Sequence, residues 1–243
     1  MNSIKGIIFD YGGTIDTNGI HWGEFIWEQY QEACIDITRD IYREAYVHGE
    51  RFLAKHPVIE PTDTFHTLLR KKIAIHFDFL REKLTEKRFS DETAIAIADG
   101  CYKKVKNTLA TTCAIVEKLS DRYPLVLVTN FYGNMPVVLK EFGLDTCFKT
   151  IIESSVVGIR KPDPALFALG VEALQLPAEE VVVIGDSYRK DIHPSSTLGC
   201  RTVWLKNICW EEEPIIEGHS PTAIIGDITQ LPGTIAHISS QEP

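Results

Sequence analysis

Positive charge is scarce in this sequence, which has 25 Lys and Arg against 34 Asp and Glu and a formal net charge of -9. That shortage excludes broad nucleic-acid binding and anchoring to anionic lipid, both of which need basic patches. No run of about 18 apolar residues occurs anywhere, which excludes a membrane-spanning helix. The opening MNSIKGIIFDYGG lacks a long apolar segment and a small-residue cleavage site, so a cytoplasmic location is expected. The 6 cysteines are scattered, with no CxxC pair and no zinc-ligand spacing to the 8 histidines, and read as reduced thiols. Repeats and low-complexity segments are absent, and the sequence carries no signal for an oligomeric state.

What is present is ordinary globular composition: 243 residues, 44% hydrophobic, 24% charged and 9% aromatic. The length allows one large domain or a core with an insertion. Short runs rich in β-branched residues at 4–10, 125–129, 150–153, 181–185, 202–205 and 223–225 predict strands. Continuous apolar runs such as LVLVTN and VVVIGD suit strands buried on both faces of a parallel sheet. Helical patterns lie between them at 113–119, 136–142, 164–174 and 191–198, with a weaker one after Asp227. That alternation predicts an α/β fold, a doubly wound (Rossmann-like) parallel sheet.

Residues 20–108 break the alternation and show only helical periodicity. Trp22, Phe25, Ile26, Tyr30 and Ala33 share one helix face. Phe65, Leu68, Leu69, Ile73, Phe77 and Leu80 share a second, and Ile95, Ala98, Tyr102, Val105 and Leu109 a third. Ser90 or Asp91 is placed to cap the last of these, and the steps at Pro57 and Pro61 mark a connection. The expected organisation is an α/β core of residues 1–17 and 109–243, with an inserted all-α cap domain of residues 18–108. Trp22, Phe25 and Tyr30 offer a lining for a substrate pocket, but an apolar stripe at helical spacing is mostly core, and they read as core of that insert.

Polar residues stand at the predicted strand ends. Asp10 ends IIFD, Thr129 and Asn130 end LVLVTN, Lys161 sits in GIRKPDP, and Asp186 and Asp191 lie in GDSYRKD. In open parallel sheets the ligand crevice lies at the carboxyl ends of the strands, so these distant residues are expected to converge there. Carboxylates hold Mg²⁺, a hard cation that pairs with oxygen ligands and phosphates. A hydroxyl, an amide and a lysine bind the remaining phosphate oxygens, and a carboxylate can itself attack phosphorus. Gly12 and Gly13 let the backbone approach closely. Singly, each has an ordinary reading: Asp186 as a helix N-cap, Asp16 as a turn former, Lys161 as a solvated side chain, Glu211–Glu213 as a solvated loop. Four such coincidences in order are what the combination adds.

The pattern resembles the haloacid dehalogenase (HAD) superfamily, in its aspartate-led first motif, its hydrophobic run ending in threonine, its lysine before a helix and its GDxxxxD. The resemblance covers the whole core, and the helical insert matches the cap that such proteins carry after the first strand. It implies Asp10 as nucleophile and metal ligand, with Lys161 catalytic beside it. Thr129, Asn130 and Lys161 would hold the phosphoryl group, and Asp186, Asp191 and the Gly12 carbonyl would complete a Mg²⁺ site. The implied activity is hydrolysis of a small phosphorylated metabolite through an aspartyl-phosphate.

Position 12 departs from the phosphatase pattern. Those relatives carry a second aspartate there, which protonates the leaving group, and this chain reads DYGGT. General acid–base help is worth roughly 10²–10⁴ in rate. Relatives without that acid include carbon–halogen and carbon–phosphorus hydrolases. A catalytically impaired phospho-ligand-binding member is a third reading. A carbon–phosphorus hydrolase would need a cap lysine, for which Lys55 is available. Asp16, His21, Glu24, His48, His56, His66 and His76 are the groups near the motif or on the insert that offer a substitute proton donor.

Overall fold

The strands form because their residues are apolar on both sides of the pleat. In a computed structural model describing residues 3–85, 87 and 89–240, the first strand, β1, is Gly6–Phe9. It is followed by β2 (Leu125–Thr129), β3 (Thr150–Glu153), β4 (Val181–Gly185), β5 (Arg201–Leu205) and β6 (Ala223–Ile225). All neighbours are parallel, in the order β3-β2-β1-β4-β5-β6. Every residue of β1, β2 and β4 is buried. Ile7, Phe9, Leu125, Leu127, Val182 and Ile184 face one layer of core, while Ile8, Val126, Val128, Val181 and Val183 face the other. That period-2 division explains the continuous apolar runs. The strand predicted from residue 4 begins at Gly6 and ends one residue before Asp10.

Four helices separate β1 from β2: α1 (Trp22–Glu32), α2 (Arg39–Lys55), α3 (Phe65–Lys83) and α4 (Asp91–Ser120). They share the first core layer with the sheet. Phe25 and Tyr30 are fully buried there, as core. Thr38, Thr64 and Ser90 open α2, α3 and α4 by accepting the N–H of Ile41, Thr67 and Thr93 on their hydroxyls. The segment predicted as a separate helix at 113–119 continues α4, so the expected division at 108/109 falls inside one helix of 30 residues. The stripe of α4 is also shifted from the expected one. Ile95 is exposed, and Ala94, Ile97, Ala98, Cys101, Val105 and Leu109 are buried. Thirty residues drift off any short periodic pattern, because 3.6 residues per turn does not divide evenly into it.

The other face of the sheet is covered by α7 (Ala165–Leu174). It lies so close that a Cβ at Gly170 would sit 2.8 Å from a Val128 methyl. The remaining helices are α5 (Met135–Glu141), α6 (Ser154–Val157), α8 (His193–Thr197) and α9 (Leu231–Ser240). The helix expected at 191–198 begins earlier, as a π-helical turn over Tyr188–Ile192 that runs into α8. No helix among the described residues is long and apolar enough to cross a membrane.

Candidate active site

The strand order places β1 between β2 and β4, so Asp10, Thr129 and Asp186 leave three adjacent strand ends on one edge of the sheet. The Asp10 N–H donates to the Ile184 carbonyl at 2.9 Å, the last rung before the chain turns away. The Thr14 hydroxyl sits 3.2 Å from Asp10 Oδ2 and 3.3 Å from Asp186 Oδ1. Gly13 adopts φ 95°, and a Cβ there would lie 2.4 Å from Asp186 Oδ2. Its bareness makes room for Asp186. At Gly12 the nearest atom to a built Cβ is Trp22 Nε1 at 3.8 Å, so a side chain has room.

Lys161 ties the site together. Its Nζ donates to Asp10 Oδ1 at 2.6 Å and to Asp191 Oδ1 at 2.7 Å, and all three side chains are buried. Asn130 sets its position: the Lys161 N–H donates to Asn130 Oδ1 at 2.9 Å, and Asn130 Nδ2 donates back to the Lys161 carbonyl at 3.2 Å. The Asn130 side chain is therefore engaged with the lysine segment. Asp191 is aimed inward by the π-helical turn, and its Oδ2 accepts the Ser187 N–H at 3.1 Å. Ser187 caps that turn by accepting the Lys190 N–H, which leaves Asp186 free of the capping role its position suggests.

Charge in this crevice is unbalanced. Burial works against the Lys161 ammonium, but Asp10 and Asp191 more than offset it and the net shift is upward. Burial, then the charges of Asp191 and Asp10, push the Asp186 carboxyl well above the ordinary range. Asp191 is pushed up to about 6 by burial, against the pull of Lys161. Carboxylate oxygens of Asp10, Asp186 and Asp191 lie within 4.8 Å of one another. Three acids against one ammonium in a desolvated site form an all-oxygen donor set whose excess charge suits a hard divalent cation such as Mg²⁺.

Above these residues is a cavity of about 120 Å³, lined from the sheet side by Asp10, Gly12, Thr129, Lys161, Asp186 and Asp191. Trp22, Glu50, Phe65, Leu68, Leu69 and Lys72 close it from the helical insert. Trp22, read from sequence as core, thus faces the cavity. Lys72 pairs with Glu50 at 2.7 Å. Burial opposes the Lys72 charge, yet Glu50 overrides it and holds the ammonium above its usual range. Sequence reasoning passed over Lys72, although a lysine on the apolar face of Leu68, Leu69 and Ile73 was the available signal.

The substitute acids fall into distinct places. Asp16 is fully buried, accepting from the Gly13 N–H at 2.7 Å and Trp22 Nε1 at 3.0 Å, and burial lifts it to about 7. It braces the turn and the Trp22 ring. His21 lines the cavity, but its Nδ1 accepts from the Gly23 N–H and burial lowers its pKa to about 3. Glu24 pairs with Arg39, and His66 with Asp99 at 2.6 Å. His48 and Phe52 stack, His56 packs on Phe52, and His48, His56 and Lys55 line a separate surface groove. His76 is buried with both ring nitrogens unpartnered, and burial lowers it to about 3. The acids at 211–213 are engaged as well. Glu211 pairs with Arg43, and Glu213 accepts from the Ser187 hydroxyl at 3.0 Å and the Arg189 N–H at 3.1 Å.

Comparison with known proteins agrees with this architecture. The profile of haloacid dehalogenase-like hydrolases matches residues 4–193, and a second, HAD-hydrolase-like profile matches residues 158–231. The chain is 34% identical over 158 residues to a phosphoserine phosphatase of Thermus thermophilus, covering 62% of this chain and 61% of that protein. It is 31% identical over 170 residues to a phosphoglycolate phosphatase of Pectobacterium atrosepticum, covering 67% of this chain and 68% of that one. Matches to these and two other curated relatives span 45% to 68% of their lengths. The crystal structure of the magnesium-bound putative HAD-hydrolase YfnB from Bacillus subtilis superposes with a TM-score of 0.56 at 18% identity. That alignment covers 96% of this chain and 99% of that one, and shows the same fold.

Proposed function

We propose that this chain, which belongs to the haloacid dehalogenase-like hydrolases, is a Mg²⁺-dependent phosphatase of a small phosphorylated metabolite, acting through an aspartyl-phosphate on Asp10. The observation that carries it is the Lys161 ammonium held between Asp10 and Asp191 with Asp186 beside them. Asp10, Asp186 and Asp191, with the Gly12 carbonyl, would hold the metal. When bound, Mg²⁺ supplies charge neutralisation for the phosphoryl oxygens.

An Asp10 carboxylate oxygen attacks phosphorus, the bond from phosphorus to the leaving oxygen breaks, and that oxygen departs with its electron pair. Thr129 and Lys161 bind the phosphoryl oxygens, and Asn130 keeps Lys161 in line. Water then attacks phosphorus, releasing inorganic phosphate and restoring the Asp10 carboxylate. Helices α1 to α4 act as the cap and Trp22, Phe65 and Leu69 exclude water above the reacting atoms. With glycine at position 12 and His21 held neutral, the leaving group draws its proton from solvent. Activity is therefore greatest on acidic leaving groups such as phenols and acyl groups.

The test is turnover of aryl and acyl phosphates with and without Mg²⁺, together with a search for phosphate trapped on Asp10. Phosphate release that needs the metal and a phosphorylated Asp10 peptide are expected. Metal-independent release of halide from 2-haloacids with no phosphatase activity would overturn the reading.

A further inference from the structure

The cavity over Asp10 continues outward. His21, Tyr46 and Glu50 line both it and a larger outer space of about 590 Å³, so the two are contiguous. The inner 120 Å³ equals roughly four water volumes at ~30 Å³ each. A phosphoryl group with its first attached atoms takes up much of that, and a longer substrate extends into the outer space.

Charge in the outer space is distributed unevenly. Four of its acids are engaged: Glu50 with Lys72, Glu211 with Arg43, Glu212 with Lys206, and Glu213 with Ser187 and the Arg189 N–H; the fifth, Asp186, belongs to the floor of the inner cavity. Arg51, Arg160, Arg189 and Lys190 also line it, all of them exposed, and none forms an ion pair among the described residues. They come from three separate segments: α2, the residue before Lys161, and the turn between Asp186 and Asp191. Arg160 and Lys190 line the inner cavity too. The Lys190 charge reaches His21, Glu50 and Asp186, and that of Arg160 reaches Tyr132. In a chain of formal net charge -9, four exposed cations without an ion-pair partner, gathered on the space that continues from the cavity over Asp10, suit an anionic partner.

We propose that Arg51, Arg160 and Lys190 form an anion subsite that takes a second oxyanion, carboxylate or phosphate, carried on the leaving group of the substrate. The inference rests on the reading of Asp10 as the phosphoryl end of the site, and it narrows the substrate class to phosphoesters with two anionic ends. Apolar Trp22, Phe65 and Leu69 then pack the linking carbons, while Lys72 stays committed to Glu50.

The test uses non-hydrolysable phosphonates with saturating Mg²⁺, so that binding is read apart from turnover. Phosphonocarboxylates with one- to three-carbon spacers are compared by calorimetry with their neutral carboxamides, and a second series carries a terminal phosphonate. The wild-type chain is expected to bind at least one acid on the order of tenfold more tightly than its amide, with the preference shrinking as salt rises. Whether the carboxylate or the diphosphonate series shows the larger preference identifies the oxyanion. Arg51→Gln with Arg160→Gln is expected to bring the ratio near one, and Arg51→Lys to keep most of it. Equal binding of acid and amide at every length, binding by neither, or a preference that survives the double variant would each overturn the subsite. A preserved acid preference with no hydrolysis of any phosphate ester would instead sink the proposed phosphatase activity and leave the subsite standing.

Discussion

At the floor of the cavity one buried ammonium, Lys161, pairs with Asp10 and Asp191 beside a third carboxylate, Asp186, whereas in the helical wall opposite one ammonium, Lys72, pairs with a single carboxylate, Glu50. Both groups are desolvated, so the difference lies in stoichiometry. In the wall the charges cancel, and a nearby ionisable ring, His76, is kept neutral by burial. In the floor an excess of negative charge is held by the fold and raises Asp186 and Asp191. A balanced buried pair sets architecture and selectivity, and an unbalanced one stores demand for a cation.

The largest test of that contrast is Asp10→Asn. Hydrolysis of aryl phosphates should fall by at least ~10⁴-fold with the fold intact by circular dichroism, while Lys72→Met should chiefly raise KM. Comparable losses of kcat from the two would erase the distinction between floor and wall.

Next in size is the pH dependence carried by the wall. His76 has a folded pKa of about 3 against 6.5 when unfolded, so the unfolded chain takes up a proton as pH falls between those values. The stability present above pH 6.5 is therefore lost progressively toward pH 3, by on the order of 5 kcal/mol from this residue. His76→Leu should flatten denaturation midpoints measured across that window. An unchanged slope would show the ring already satisfied.

Gly12→Asp probes the boundary between the regions. A Cβ there meets only Trp22 at ordinary contact distance. Turnover of alkyl phosphates, whose leaving groups are poor, should rise roughly 10- to 100-fold, with much less gain on 4-nitrophenyl phosphate. Equal gains on both would point to an effect on binding.

The smallest effect separates stability from function in the floor. Asp186 is disfavoured as an anion, so from about pH 4 upward its ionisation costs stability in the metal-free protein. Asp186→Asn should raise the metal-free Tm by a few degrees, about 1 kcal/mol, and abolish the rise in Tm expected of the wild type with Mg²⁺. A variant still stabilised by Mg²⁺ would remove Asp186 from the metal set.

How much of this was readable beforehand differs between the two regions. In the core, Asp10, Thr129, Lys161, Asp186 and Asp191 were legible because strand ends are punctuated by polar residues after apolar runs. Topology then sends those ends to one edge. In the insert, the helices were legible, but Trp22 looked like core and Lys72 drew no notice. A helix stripe reports burial and not what it is buried against. The role of Asn130 toward Lys161, and the closeness of Gly13 to Asp186, depend on contacts between residues 31 and 173 positions apart.

Sequence by itself determined the parallel α/β core, the helical insertion and the residue types of the cavity floor, because local periodicity and strand-end chemistry are written in neighbouring residues. Tertiary structure alone decided the charge stoichiometry: which ammonium pairs with two acids beside a third, which pairs with one, and which cations stay unpaired at the mouth. Those outcomes depend on distances of a few ångströms between segments far apart in the chain, and Coulomb energy in a desolvated site changes with each of them.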